Sequence, residues 1–108
     1  MIQELRQCTE IAVDLEHHHL DSYLGILCLM QISSRFKDYV IDTILLKQHL
    51  FEINEIFTNP KILKVFHGSD LDVFWLQRDA GVYVVNMFDS GQVTFMLIRL
   101  LKFLNISL

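Results

Sequence analysis

The first part of the chain alternates apolar and polar residues, which is the periodicity of a β-strand. In the first such segment Ile11, Val13 and Leu15 share one face, and Asp14 and Glu16 lie on the other. The second segment is almost continuously apolar, as a strand covered on both faces would be. A short polar connection before the third segment suits a hairpin. We therefore predict a three-stranded antiparallel meander formed by residues 10–16, 24–33 and 38–43.

Beyond residue 45 the apolar residues recur with the period of a helix. Leu46, Leu50, Ile53 and Phe57 fall on one face, and Pro60 ends the helix. The segments that follow alternate strand and helix, which is typical of parallel strands joined by crossovers. They are a strand at 62–66, a helix at 70–79, a strand at 83–88 and a helix from Gly91. The sequence thus predicts one α/β domain over residues 1–108, with a mixed sheet and flanking helices.

Composition and charge exclude several protein classes. Hydrophobic residues make up 52% and charged residues 20%, which argues against disorder. Nine basic and thirteen acidic residues give a net charge of −4, which argues against gripping nucleic acid by a basic surface alone. Cys8 and Cys28 lack metal-ligand spacing and are interpreted as reduced thiols of an intracellular protein. The apolar stretch 93–108 is shorter than the ~20 residues of a membrane span, so we expect no membrane association.

A pair of carboxylates on the first strand is one candidate site. Asp14 and Glu16 are two positions apart, so their side chains project to the same face. Like charges at this spacing repel, and buried they would bind a divalent metal or carry a raised pKa. Alternatively, Ala12, Asp14 and Glu16 form the solvated face of an edge strand. The residues alone favour neither interpretation.

A second candidate site lies where the strand at 62–66 turns into the next helix, since α/β sheets place ligands beyond the carboxyl ends of strands. Either Ser69 or Asp70 could cap this helix; of the two we expect Asp70 to be the structural cap, and Asp72, in the first turn, to be the candidate ligand. Capping and the helix dipole could also explain both acids without a ligand. Trp75, one helical turn after Asp72, could stack on a nucleobase or be buried.

Three consecutive histidines, His17, His18 and His19, follow Glu16 directly. Neighbouring residues at a strand end point in alternating directions, so the three could not all reach one ion. We expect a loop with one or two functional histidines.

Four segments in order carry a family resemblance: residues 11–18 (IAVDLEHH), 28–33 (CLMQIS), 64–79 (KVFHGSDLDVFWLQRD) and 84–89 (VVNMFD). They resemble the ribonuclease D class of DEDD 3′–5′ exonucleases, and within it the catalytic exonucleases of the nuclear RNA exosome. The resemblance covers roughly residues 5–90, and the more apolar tail at 91–108 diverges from it.

This resemblance implies an RNase H-like fold and hydrolysis of single-stranded RNA from its 3′ end in the nucleus. It implies that Asp14, Glu16 and Asp72 are catalytic residues that hold two divalent ions, Mg²⁺ or Mn²⁺. It also implies that His17 and Trp75 bind the terminal base of the RNA. RNA exosome subunits are the implied protein partners.

The family's third motif, a tyrosine with an aspartate four residues later, has no counterpart in the chain. Leu27, Thr43 and Met87 stand four positions after the three tyrosines. We therefore expect a C-terminally incomplete domain with impaired hydrolysis. The alternative is a non-catalytic fragment that binds RNA or a protein partner. The apolar C-terminal helix could then support self-association.

Overall fold

The computed structural model describes residues 1–19, 25–104 and 106. The residues outside this description include Tyr23, Leu24 at the start of the strand predicted at 24–33, and residues 105, 107 and 108 of the tail. The strands are β1 (Glu10–His18), β2 (Ile26–Ser33), β3 (Asp38–Asp42), β4 (Leu63–Phe66) and β5 (Met87–Asp89). The helices are α1 (Ile2–Leu5), a 3₁₀ helix (Lys47–Ile53), α2 (Asn54–Phe57), α3 (Asp70–Trp75), a π-helix (Leu76–Ala80) and α4 (Ser90–Phe103).

The strands form one mixed sheet in the order β3-β2-β1-β4-β5. β1 pairs antiparallel with β2 and β2 with β3, which confirms the predicted meander. β4 pairs parallel with β1, and β5 with β4, which confirms the predicted parallel strands. β1 therefore lies in the middle of the sheet, and the interpretation of it as an edge strand is wrong.

One face of β1 supplies the core. Ile11, Val13 and Leu15 are buried there, at most 7% exposed, and pack in one cluster with residues of the helical segments. Between them Ala12, Asp14 and Glu16 are exposed on the other face. The predicted alternation of β1 is thus confirmed. The carboxylates lie on the uncovered face of a central strand.

A buried lysine ties the helical layer to the sheet. Lys64 lies in β4 and is fully buried. Its Nζ donates to the backbone oxygens of Ile56, Asn59 and Ile62 at 3.3, 2.8 and 2.6 Å. Burial lowers the pKa of Lys64. The three carbonyl acceptors offset the cost of burying this ammonium group and anchor the end of α2.

The helix predicted from residue 46 forms in two pieces, a 3₁₀ helix followed by one turn of α-helix. Leu50, Ile53 and Phe57 are buried as predicted, whereas Leu46 is 42% exposed. A 3₁₀ helix has three residues per turn instead of 3.6, so different side chains align along its surface. The predicted apolar face is therefore only partly buried.

The last strand is shorter than predicted, because the segment before it bonds elsewhere. The backbone N–H groups of Tyr83 and Val85 donate to Asn54 Oδ1 and to the carbonyl of Phe57, each at 2.9 Å. Asn86 then adopts a positive φ of 60°, which interrupts extended backbone. Only Met87–Asp89 joins the sheet as β5.

The predicted C-terminal helix is present as α4, and none of its residues is buried. Its apolar side chains include Phe95, Met96 and Phe103, which are 58%, 68% and 83% exposed. Among the described residues, no helix combines the length and apolarity that a membrane span requires.

Candidate functional site

Three carboxylates, two on β1 and one on the helix after β4, influence one another electrostatically. Asp14 and Glu16 project from this strand, and the parallel neighbour β4 leads through a Gly68 turn into α3. The first turn of α3 carries Asp72, which is only 8% exposed. Burial is the main reason why the pKa of Asp72 rises to about 6, and the negative charges of Asp14, Asp89 and Glu16 raise it further. The structure thus brings the three predicted carboxylates into one electrostatic environment.

This donor set suits a hard divalent cation. Carboxylate oxygens are the preferred ligands of Mg²⁺ and Mn²⁺, and a buried carboxylate with raised pKa gains most when a cation neutralises it. Within the described part of the chain, no three His, Cys, Asp or Glu side chains converge closely enough to hold an ion as they stand. Because the three carboxylates repel one another, closer approach requires a cation between them. The chemistry of the residues fits a metal ion.

Asp72 makes the metal-free fold sensitive to pH. Its pKa of about 6 lies above the ordinary value of 3.8, so between these values the folded chain binds a proton that the unfolded chain lacks. Stability therefore falls as pH rises through this window. We predict that Asp72→Asn stabilises the metal-free chain by about 2 kcal/mol at pH 7.5 and by almost nothing below pH 4. Urea unfolding in EDTA at both pH values measures this.

The matched control for this prediction is Asp70→Asn, which changes an exposed aspartate two residues earlier on the same helix. Its free energy of unfolding is expected to stay near that of the parent chain at both pH values. Equal stability of Asp72→Asn and the parent chain at pH 7.5 would show that burial of Asp72 is not costly.

Asp89 is a site residue to which the sequence analysis assigned no role. At the end of β5 its Oδ1 accepts from the backbone N–H groups of Gly68 and Gly91 at 2.9 and 2.8 Å. Its Oδ2 accepts from both the backbone N–H and the hydroxyl of Ser69, each at 2.7 Å. These bonds hold the pKa of Asp89 far below its ordinary value. Asp89 therefore fastens the turn that leads to Asp72.

The sequence contained a signal for Asp89 as a helix cap. Asp-Ser-Gly at the start of a helical segment is a typical N-terminus, and Asp89 occupies the N-cap of α4. Asp89 also accepts hydrogen bonds from Ser69 in the turn after β4. The two residues are 20 positions apart, so no local sequence pattern indicates this contact.

The prediction that Asp70 caps α3 is wrong. Ser69 occupies the N-cap, and Asp70 is the first residue of the helix with an exposed side chain. The hydroxyl of Ser69 donates to Asp89 instead of capping the helix. The Asp70 carboxylate accepts from Gln92 Nε2 at 3.3 Å.

His17 and Trp75, the predicted stacking residues, stack on each other. His17 follows Glu16 on β1, and Trp75 lies about one helical turn after Asp72 on α3. Their ring centroids are 3.9 Å apart and the ring planes differ by 5°. β1 continues through His18, with an irregular register after Glu16, so a strand end replaces the predicted histidine loop. The two rings form a flat pair, and each covers one face of the other.

Comparison with known proteins places this chain in a family. The family model of 3′–5′ exonucleases matches residues 1–104. The exosome complex exonuclease RRP6 of Saccharomyces cerevisiae is 58% identical over 90 residues, which is 83% of this chain and 12% of that protein. Exosome complex component 10 of Homo sapiens is 56% identical over 90 residues, 83% of this chain and 10% of that protein. The chain thus spans about a tenth of the length of these relatives.

Solved structures share the fold. The catalytic core of RRP6 from Trypanosoma brucei superposes with a TM-score of 0.81 at 48% identity, covering 82% of this chain and 25% of that one. The complex of Trypanosoma brucei RNase D with RNA U12 gives a TM-score of 0.78 at 25% identity, covering 91% and 35%. These neighbours confirm the RNase H-like fold. The chain belongs to the 3′–5′ exonuclease family, within its RNase D-like group that includes RRP6.

Proposed function

We propose that this chain removes nucleotides from the 3′ end of single-stranded RNA, using two Mg²⁺ or Mn²⁺ ions held by Asp14, Glu16 and Asp72. The observation that carries the proposal is the buried carboxyl of Asp72, whose pKa is raised by burial and by the charges of the other two. The 3′–5′ exonuclease family generally uses divalent metal ions. A site with one buried and two exposed carboxylates is suited to such ions.

The chain's own residues would hold the ions from two sides. Asp14 and Glu16 would contribute from the strand and Asp72 from the helix. Divalent ions held there would supply an activated water and stabilisation of the leaving 3′ oxygen. They would also supply the positive charge toward phosphate that a chain of net charge −4 lacks. Because the ligands must be deprotonated, acidification through the pKa of Asp72 should weaken ion binding.

The aromatic pair beside the carboxylates is suited to the terminal base of the RNA. A base can stack on an exposed aromatic face without regard to its sequence. His17 and Trp75 are both partly exposed, and they follow Glu16 on β1 and Asp72 on α3 respectively. We propose that the last base stacks against this pair and so brings the final phosphodiester over the carboxylates.

The test uses 5′-labelled single-stranded RNA with Mn²⁺, because the 5′ label stays on every product that is shortened stepwise from the 3′ end. The parent chain is expected to give a ladder of shortened products that EDTA prevents, and Asp14→Asn is expected to leave the RNA intact. These 108 residues provide three carboxylates and no Tyr-x3-Asp pair. General-base assistance is worth about 10²–10⁴-fold, so we expect slow turnover and long incubations.

An intact substrate with the parent chain as well would favour the alternative, a module that binds RNA or a partner without cleaving it. The exposed apolar side chains of α4 give that alternative a surface. Self-association through this helix would then appear as a mass above 12.7 kDa in light scattering.

The relatives support a proposal about protein partners. The yeast and human relatives are named as components of the exosome complex. We propose that this chain also acts with RNA exosome subunits, on RNA 3′ ends in the nucleus.

A further inference from the structure

Four residues surround the ring of His17. Trp75 covers one face. A Cβ at Gly25 would lie 1.9 Å from Cε1 of the ring and 2.7–2.8 Å from the two nitrogens, so this glycine abuts the ring edge and no larger residue fits. Arg78 Nη2 contacts Nε2 of His17 at 3.4 Å. On the remaining side Nδ1 lies 3.2 Å from Nε2 of His19.

The contact with Arg78 favours one form of the imidazole. A guanidinium group can only donate hydrogen bonds, so Nε2 of His17 is the acceptor, and it shares an N–H of Nη2 with Asp79 or Gly25. The proton of the neutral ring is then on Nδ1, which can donate to Nε2 of His19. This is the less common tautomer of a free histidine, so its observation would indicate that His17 keeps these contacts in solution.

Arg78 is itself fixed by an ion pair. Its Nε and Nη2 reach both oxygens of Asp79, and Nη2 also donates to the carbonyl of Gly25 at 2.9 Å. Asp79 Oδ2 in turn accepts from the backbone N–H of Leu27 at 2.9 Å. The two side chains are 23% and 19% exposed, which limits competition from water.

This ion pair connects the two halves of the proposed site. Arg78 and Asp79 lie in the π-helix that continues α3, the helix that carries Asp72 and Trp75. Their bonds end at the beginning of β2 and at His17 of β1, which follows Glu16 directly. π-Helical turns are rare and often occur at functional sites.

We propose that Arg78 and Asp79 act together as positioning residues, which hold His17 flat against Trp75 so that the pair is ready to receive the terminal base of an RNA. The proposal rests on the proposed function for its ligand. Arg78 could instead act only as a positive charge that attracts phosphate. The positioning role differs from this, because it requires the planar guanidinium group of Arg78 and its ion-pair partner Asp79.

Two variants separate these roles. Arg78→Lys keeps the charge and cannot reach Asp79, Gly25 and His17 together. Asp79→Asn removes a negative charge, so simple attraction predicts tighter RNA binding and positioning predicts weaker binding. Glu10→Gln is the matched control, since it removes one charge from the Arg35–Glu10 ion pair, whose residues do not touch His17, Trp75 or the three carboxylates.

The readouts are the affinity for a 5′-fluorescent single-stranded RNA in Ca²⁺, the ¹⁵N shifts of the His17 imidazole, and Mn²⁺ binding. We expect roughly tenfold weaker RNA binding for Arg78→Lys and for Asp79→Asn, loss of the Nδ1–H signature in both, and no change for Glu10→Gln. Mn²⁺ binding should persist in all three, which also shows that each variant is folded.

Tighter RNA binding by Asp79→Asn, or unchanged affinity and tautomer in Arg78→Lys, would overturn the positioning role. Failure of the parent chain to bind Mn²⁺ would instead refute the proposed function, so the two failures can be distinguished.

Discussion

Replacing Asp72 with asparagine is expected to abolish metal-dependent shortening of RNA while making the metal-free protein more stable. Asp72 is the most deeply buried of the three carboxylates, and its ionised form is disfavoured without a cation. Asparagine keeps the shape of the side chain and removes the charge that a divalent ion needs. We expect the rate to fall by at least about 100-fold, measured as the initial rate of shortening of 5′-labelled RNA at saturating Mn²⁺.

The control is again Asp70→Asn, because Asp70 lies on the same helix and is exposed. Its rate should stay within about twofold of the parent chain, which is less than the effect of a single good hydrogen bond. A similar loss of rate in both variants would indicate that the helix as a whole, and not the carboxyl of Asp72, is what the reaction requires.

Replacing Asp89 with alanine is expected to have the second largest effect. The substitution leaves the backbone N–H groups of Gly68 and Ser69, and the hydroxyl of Ser69, without their acceptor. The turn before α3 should loosen and Asp72 should lose its fixed direction. We expect Mn²⁺ affinity to fall about tenfold, the size typical of residues that orient metal ligands, together with a lower melting temperature.

Asp89 also predicts a pH dependence of opposite sign to that of Asp72. Its pKa is lowered by folding, so its contribution to stability is present above the unfolded value and is lost as pH falls through the folded value. The parent chain should therefore lose stability in acid below about pH 4, and Asp89→Ala should lose less.

Asp42→Ala is the matched control for Asp89→Ala. Asp42 Oδ1 accepts from the backbone N–H groups of Ile44 and Leu45 at 3.0 and 2.8 Å, in a turn after β3 at the edge of the sheet. This control should lower the melting temperature and leave Mn²⁺ affinity unchanged. Equal Mn²⁺ affinity of Asp89→Ala and the parent chain would contradict the positioning of Asp72 by Asp89.

Local periodicity predicted most of the sheet, because burial of one face of a strand imposes the alternation that the sequence shows. Ile11, Val13 and Leu15 are buried as their spacing required, and the two acidic residues between them are exposed. The central position of β1 could not be predicted from its own residues, because an uncovered face of a central strand has the same pattern as an edge strand. Only the pairing with β2 and β4 distinguishes them.

Predictions failed where distant hydrogen bonds override local preference. The segment at 83–86 has strand-forming residues, yet Asn54 and Phe57 accept its N–H groups. Asp70 has the residue type of a helix cap, yet Ser69 holds that position and its hydroxyl is bound to Asp89 instead of to the helix. Arg78 reaches His17 across 61 positions of sequence, a contact without any local signal.

Binding of Mn²⁺ tests the central claim most directly, because it asks whether the three carboxylates form a metal site whatever the rate of cleavage. Titration at pH 7.5 can be followed by the decrease of the free-ion signal in electron paramagnetic resonance. The parent chain should bind Mn²⁺ saturably, and the Asp14→Asn, Asp72→Asn double variant should leave the ion free. Equal binding by both proteins would contradict the claim that Asp14, Glu16 and Asp72 form the metal site of this exonuclease domain.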